Sequence, residues 1–229
     1  MAKLSTITQD KTRRILVYGP PKSGKTQLVG TLAAEKKLVW FDLENGWETL
    51  LKLSKQAQEG VELIRLPDSK VYPIAIETML KIIDGSKKEI CEEHGKVGCM
   101  FCKKEGKPFI TVELNSLDES YVVVIDSLTQ LANSAMNHIT KTQDETYKYQ
   151  FDDYRVQGSL MDKFLSQVQQ AKFNVVCITH ETESKLEDGS MKLVPVAGTT
   201  TFSRNTAKYF DHVVYCEVKN RSHRFGSST

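Results

Sequence analysis

RILVYGPPKSGKTQLVGTLAAEK, residues 14–36, contains the segment that decides the fold. An apolar, β-branched run (RILVY, 14–18) breaks into glycine and proline and then resumes with the spacing of an amphipathic helix. Residues 19–26, GPPKSGKT, fit G-x-x-x-x-G-K-[ST], a pattern whose four fixed positions arise by accident in about one chain of this length in a hundred at average composition. The strand before it and the helix after it supply the context the motif needs. Glycines let such a loop wrap a phosphate chain, and its amides and the following helix terminus present fixed positive dipoles to the anion. The pattern predicts nucleotide binding by Gly19, Pro20, Pro21, Lys22, Ser23, Gly24, Lys25 and Thr26, with Lys25 on the β and γ phosphates and the Thr26 hydroxyl on Mg²⁺.

A loop of this kind needs a second magnesium anchor at the tip of a neighbouring strand. YVVVIDS (121–127) supplies Asp126 after four aliphatic residues, with Ser127 behind it. LVWFDLENG (38–46) is another apolar strand that ends on acids, Asp42 and Glu44. Hydrolysis requires a group that positions or deprotonates water, and Glu44 is placed to be it. Further strands are expected at VELIRL (61–66), FNVVCIT (173–179) and HVVYCEV (212–218). Helical periodicity falls between them at 25–36, 47–58, 73–83, 127–139 and 159–172. Strands alternating with helices predict an α/β fold with a mostly parallel sheet, whose ligand lies beyond the carboxyl ends of the strands.

The chain has 229 residues, 40% hydrophobic and 26% charged, which suits one α/β domain with a full core. A formal charge of +2 names no partner, so any nucleic-acid surface must be a local one. The opening MAKLSTITQDKTRR lacks a signal-peptide apolar stretch and no segment has the length of a membrane span, so a cytoplasmic location and no membrane partner are expected. In that reducing setting five cysteines favour thiols or metal ligation over disulfides.

GPPKSGKT, FDLENG, VVVIDSLTQL and VVCITHE, in that order, resemble the RecA/RadA-like ATPases, and among them the short phage RecA-like nucleotide-binding and single-strand annealing proteins. The resemblance spans roughly residues 13–219. It implies a RecA-like P-loop core, ATP as substrate, Glu44 as the activator of water, Asp42 as a supporting residue or strand terminator, and Thr179 with His180 as a polar pair that senses the γ-phosphate. It further implies single-stranded DNA, other copies of the chain and a single-strand binding protein as partners. Hydrolysis in this group usually occurs between subunits, and Lys219, Arg221 and Arg224 are candidates for the basic residue that reaches a neighbour; a solvated basic tail is the plainer account of each. The segment ahead of the first strand is too short for the oligomerising helix and strand of full-length RecA, and no DNA-gathering domain is expected after the last strand.

CEEHGKVGCMFC (91–102) is a second constellation. Cys91 and His94 are spaced C-x-x-H and Cys99 and Cys102 C-x-x-C, so each pair can hold one ion from a tight turn and together they complete a tetrahedral zinc site. With four protein ligands no position stays open, and the role predicted is structural. The surrounding stretch has little apolar content, so the metal would supply the free energy that orders it. The expected organisation is a single RecA-like ATPase domain over 1–229 with a zinc-binding insertion at 86–108. Lysines 87, 88, 96, 103, 104 and 107 surround the cluster, but Glu89, Glu92, Glu93 and Glu105 offset most of their charge.

For DNA, two segments are candidates. TYKYQFDDYR (146–155) interleaves Tyr147, Tyr149, Phe151 and Tyr154 with Lys148 and Arg155, a base-stacking and phosphate-binding composition, although packing accounts for at least half of such rings. Residues 181–206 predict a hairpin turning at Asp188-Gly189, with Lys185, Lys192, Phe202 and Arg204 as possible contacts or as parts of a solvated hairpin. Two other functions use the same loop: a nucleotide or small-molecule kinase with the zinc insertion as a lid, and a nucleotide-gated adaptor with little turnover.

Overall fold

The computed structural model describes residues 12–186, 188–220 and 222–228. In chain order its elements are β1 (Arg14–Gly19), α1 (Lys25–Gly30), β2 (Lys37–Asp42), α2 (Lys55–Glu59), β3 (Val61–Arg65), α3 (Ala75–Ile82), β4 (Lys88–Cys91), α4 (Met100–Lys104), β5 (Phe109–Val112), β6 (Tyr121–Asp126), α5 (Leu128–Thr140), α6 (Phe151–Gln169), β7 (Asn174–Lys185), β8 (Met191–Pro195), α7 (Thr200–Asn205), β9 (His212–Lys219) and β10 (Ser222–Ser228). The main sheet runs β10-β9-β1-β7-β6-β2-β3, parallel except for the edge strand β10, and β8 pairs antiparallel with the outer part of β7.

The apolar strands are continuous because both faces of the sheet are covered. With side chains alternating across the sheet, Leu16, Val39, Phe41, Val123, Ile125, Val175 and Cys177 face one core with residues of α3, α5 and α6. Their neighbours Val17, Leu38, Trp40, Val122, Val124, Val176 and Ile178 face another with Val29 of α1 and Ala57 of α2. This is the RecA-like P-loop core, a helix-flanked and mostly parallel sheet in which β7 separates the strands of the phosphate loop and of Asp126. No helix among the described residues is long and apolar enough to cross a membrane.

Several elements differ from the sequence expectation. Helix 25–36 is α1 followed by a 3-10 turn, Thr31–Ala34. The helix expected at 47–58 is a 3-10 turn, Trp47–Lys52, then α2, split where Leu53 turns extended and the Ser54 hydroxyl caps α2 by accepting from the Ala57 amide at 3.2 Å. Strand β7 does not stop at Thr179, because past that residue it exchanges β6 for β8 and pairs from Glu181↔Pro195 to Lys185↔Met191. The hairpin closes as expected, with the Asp188 carboxylate accepting from the Ser190 amide at 2.9 Å. Helix α6 starts at Phe151, where Gln150 and Asp153 cap it reciprocally. The tail 222–228 is itself a strand, β10, paired with β9 from Ser222↔Lys219 to Ser228↔Val213. β5 (FITV) pairs with β4 as a two-stranded ribbon separate from the main sheet.

Candidate nucleotide-binding site

Gly19 ends β1 where a Cβ would lie 2.0 Å from the Cys216 carbonyl oxygen of β9, so only glycine lets the strand turn there. The chain folds back at Pro20 and Pro21, with the Ser23 amide donating to the Pro20 carbonyl at 3.3 Å. Gly24, in the left-handed region at φ +89°, caps the start of α1. The Lys25 ammonium is buried beneath this loop and donates to the Gly19 and Pro20 carbonyls at 3.0 and 2.8 Å. The Ser23 hydroxyl is buried with no hydrogen-bond partner, an orphan polar atom in the concave loop.

Four strand ends meet this loop. Asp42 and Asp126 sit level on β2 and β6, and His180 on β7 is level with Gly19. The Thr26 hydroxyl donates to Asp126 at 3.0 Å. The Asp42 carboxylate, 2% exposed, accepts from the Glu44 and Gly46 amides at 3.2 and 3.1 Å. It therefore fixes the loop that presents Glu44 instead of facing the cleft. Glu44 accepts a short hydrogen bond from the Ser127 hydroxyl, and its other oxygen lies 3.4 Å from His180 Nε2. His180 Nδ1 is 3.4 Å from the Lys25 ammonium. An ammonium on one side and a carboxylate on the other select the tautomer with a bare Nδ1 and a protonated Nε2.

Thr179 points the other way, as alternation along a strand requires. Fully buried, it donates to the Val196 carbonyl and accepts from Thr129, whose oxygen accepts the His180 amide at 3.0 Å. The pair expected to act together thus divides, His180 to the cleft and Thr179 to the scaffold. Together these elements enclose about 400 Å³ lined by Lys22–Gln27, Glu44, Thr49, Lys52, Asp126, Ser127, Ile178, His180 and His223.

The charges are strongly perturbed. Burial raises the Asp126 carboxyl to about 7, with Glu44 and Asp42 pushing the same way against the Thr26 hydrogen bond and Lys25. Burial also lowers Lys25, which Asp126, Cys216, Glu44 and Glu181 counter only in part. Glu44 is held below the usual range, because the His180 and Ser127 hydrogen bonds and the Lys25 charge outweigh its burial. The Thr26 hydroxyl beside the Asp126 carboxyl is a hard-oxygen pair suited to Mg²⁺, whose charge would draw the proton from the buried carboxyl. The cradle of amides, the buried ammonium and the orphan Ser23 hydroxyl fit a phosphate chain.

Sequence reasoning missed three groups here. Ser127 orients Glu44, Thr129 ties the β7 backbone to α5, and His223 on β10 borders the loop with Nδ1 2.9 Å from the Ser23 carbonyl oxygen.

Away from the cleft, Cys91, His94, Cys99 and Cys102 bring all four donor atoms within 4.8 Å of one another. Tetrahedral zinc–thiolate bonds place sulfurs about 3.8 Å apart, so this donor set and spacing could hold Zn²⁺. His94 is flanked edge-on by Tyr72 and Phe101. The ribbon is anchored by Ile90 and Val112 in the main core and by the Thr78 hydroxyl donating to the Gly95 carbonyl at 2.6 Å. None of residues 86–108 lines the nucleotide cleft.

Of the candidate DNA segments, the first does not supply the core packing expected for half its rings. Tyr149, Phe151 and Tyr154 are exposed, and Tyr149 meets Tyr147 and Tyr154 edge-on. In the second, Phe202 stacks on Tyr209 and Arg204 donates to Ser184 and to the Lys185 carbonyl, while Lys185 and Lys192 are exposed. Lys219 and Arg224 are exposed on the β9–β10 hairpin, and Arg221 lies outside the described residues.

No curated protein matches the chain. Among solved structures it is similar to a prototypical ATPase from the type III secretion system of pathogenic bacteria, at 12% identity over 90% of this chain and 51% of that one, with a TM-score of 0.49. A KaiC-like protein from the archaeon Pyrococcus horikoshii OT3 is similar at 12% identity over 94% and 76%, with a TM-score of 0.44. The chain spans about half the length of the secretion ATPase. The family described as AAA domain matches residues 11–228, nearly all of the sequence and every element around the cleft, and the chain therefore belongs to the AAA domain family of P-loop ATPases.

Proposed function

We propose that this chain binds and hydrolyses ATP and couples the cycle to single-stranded DNA, in recombination, annealing or replication of the phage type. The observation that carries the reading is the placement of Glu44. This carboxylate is kept ionised, is held by Ser127 and His180, and faces the phosphate loop across the cleft. Residues 19–26 hold the phosphates and Lys25 neutralises them. Thr26 and Asp126 hold Mg²⁺, which supplies positive charge to the phosphate oxygens. Glu44 orients the attacking water and accepts its proton, and His180 links that carboxylate to Lys25.

DNA binding draws support from the exposed ring cluster of Tyr149, Phe151 and Tyr154 beside Lys148, a composition on which bases stack. The lid required by a kinase has no such support, since the insertion does not border the cleft. Within one cytoplasmic ATPase domain over 1–229, the insertion at 86–108 carries a structural Zn²⁺ on Cys91, His94, Cys99 and Cys102. The active form is a homo-oligomer, with a single-strand binding protein as a further partner.

Purified protein assayed for phosphate release with and without an oligonucleotide tests the reading. Lys25→Ala should lose nucleotide binding, and Glu44→Gln should keep binding while turnover drops about 10²-fold or more. Wild-type turnover by Glu44→Gln would remove the assignment. Phosphate delivered to a nucleoside monophosphate would favour the kinase, and tight ATP binding without hydrolysis under any DNA condition would favour an adaptor.

A further inference from the structure

β10 brings its His223 imidazole against the phosphate loop at the border of the cleft. Nδ1 lies 2.9 Å from the Ser23 carbonyl oxygen, and since a carbonyl only accepts, Nδ1 carries the proton and donates. The contact joins residues 200 positions apart in the chain, across an edge strand whose backbone is fixed to β9 by His223↔Val218.

In a planar trans peptide the C=O of one residue and the N–H of the next point in opposite directions. A hydrogen bond that holds the Ser23 carbonyl toward His223 therefore turns the Gly24 amide away from β10. Gly24 leaves the room for this: a Cβ on it would stand 2.9 Å from His223 Nδ1. The same imidazole lines the cleft that holds Lys25, Thr26 and Asp126.

We propose that His223 is a positioning residue of the nucleotide site, which through the Ser23 carbonyl fixes the Gly24 amide to receive the phosphate chain of a nucleoside di- or triphosphate. This rests on the nucleotide reading above and adds to it a cis contribution from the C-terminal hairpin. The contact is on the loop and not on Glu44, so His223 acts on binding of ADP and ATP alike and leaves the water-activating carboxylate untouched.

The test is titration of the full chain with fluorescent ADP and ATP analogues in Mg²⁺, alongside steady-state hydrolysis and the melting temperature of the nucleotide-free protein. His223→Ala should weaken both nucleotides about three- to tenfold, the effect of one lost hydrogen bond, with kcat at saturating ATP within about twofold. His223→Asn should recover most of the affinity, because its side-chain amide offers an N–H at the position of Nδ1. Wild-type protein that binds no nucleotide would defeat the underlying reading. Wild-type protein that binds, with Ala and Asn variants of unchanged affinity, would overturn only the role of His223. So would an Asn variant as weak as Ala with both chains folded, or a fall in kcat with affinity preserved.

Discussion

Asp126 and Glu44 stand at the same edge of the sheet, yet their surroundings push their protons in opposite directions. Burial holds the Asp126 proton up to about pH 7, whereas donors from Ser127 and His180 keep Glu44 ionised. Two carboxyls separated in this way could divide the work as the proposed function requires, Asp126 toward the metal and Glu44 toward water. The Asp126 shift also has a stability consequence in protein free of nucleotide and metal. The unfolded chain releases this proton near its ordinary value of 3.8 and the folded one near 7, so between those values the folded state holds the extra proton. Stability from this group is present below about pH 4 and declines until about pH 7. Asp126→Asn, which retains an acceptor for Thr26, should therefore gain on the order of 2 kcal/mol at pH 8, roughly 4–8 °C in melting temperature, and almost nothing at pH 4. Added Mg²⁺-ATP should stabilise the wild type and not the variant. A melting difference that stays constant from pH 4 to 8 would contradict the buried-proton account. Lys25, Thr26, Glu44, Asp126 and His180 were legible beforehand because each belongs to a short local pattern. Ser127, Thr129 and His223 were not, because their partners lie 83, 51 and 200 residues away and no local spacing records such contacts.

Among the elements, the β4–β5 ribbon is the one whose order depends most on chemistry outside the apolar core. Ile90 and Val112, with the partly buried Ile110, tie its strands to the main cluster, and Cys91, Cys99 and Cys102 form a small cluster of their own with Phe109. A metal bound there would replace the missing hydrophobic area. Freshly purified protein should contain one zinc per chain by elemental analysis. Cys102→Ser should lose it, become cleavable by protease within 86–108, and melt roughly 5–15 °C lower. Phosphate-loop binding should persist, since no residue of the insertion borders the cleft. Substoichiometric zinc in fresh protein would remove the metal. The strands plainest in the sequence were those buried on both faces, where runs such as VVVI leave no alternative to a central strand. β10 was invisible for the opposite reason. Its described residues 222–227 are all exposed, so no burial pattern marks SHRFGSS, and it becomes a strand because β9 offers a free edge. The first turn of α6 hid similarly, in a polar and aromatic stretch whose capping pair, Gln150 and Asp153, is the only local sign of a start.

At the scale of the whole molecule, the cleft has a composition that suits completion by a second chain. Its described lining contains Lys22, Lys25 and Lys52 but no arginine, and phosphoryl transfer gains greatly from a guanidinium aimed at the charge that develops on the γ-phosphate. The exposed cations Lys219 and Arg224 lie on the hairpin that forms one edge of the main sheet. A head-to-tail ring would bring that hairpin to the next subunit's cleft, with each site built from one chain's Glu44 and the other's Arg224. The arrangement makes a complementation experiment decisive. Glu44→Gln and Arg224→Ala should each be nearly inactive alone, yet mixed in equal amounts they create interfaces that pair an intact Glu44 with an intact Arg224. Random mixing yields that pairing at about a quarter of interfaces, so hydrolysis should return to about a quarter of the wild-type rate per subunit. Substituting Lys219→Ala for Arg224→Ala separates the two cations, because only the one that reaches across will show recovery on mixing. If neither pair recovers while wild-type protein hydrolyses ATP, neither Arg224 nor Lys219 reaches the neighbouring site and the arrangement built on Arg224 is wrong.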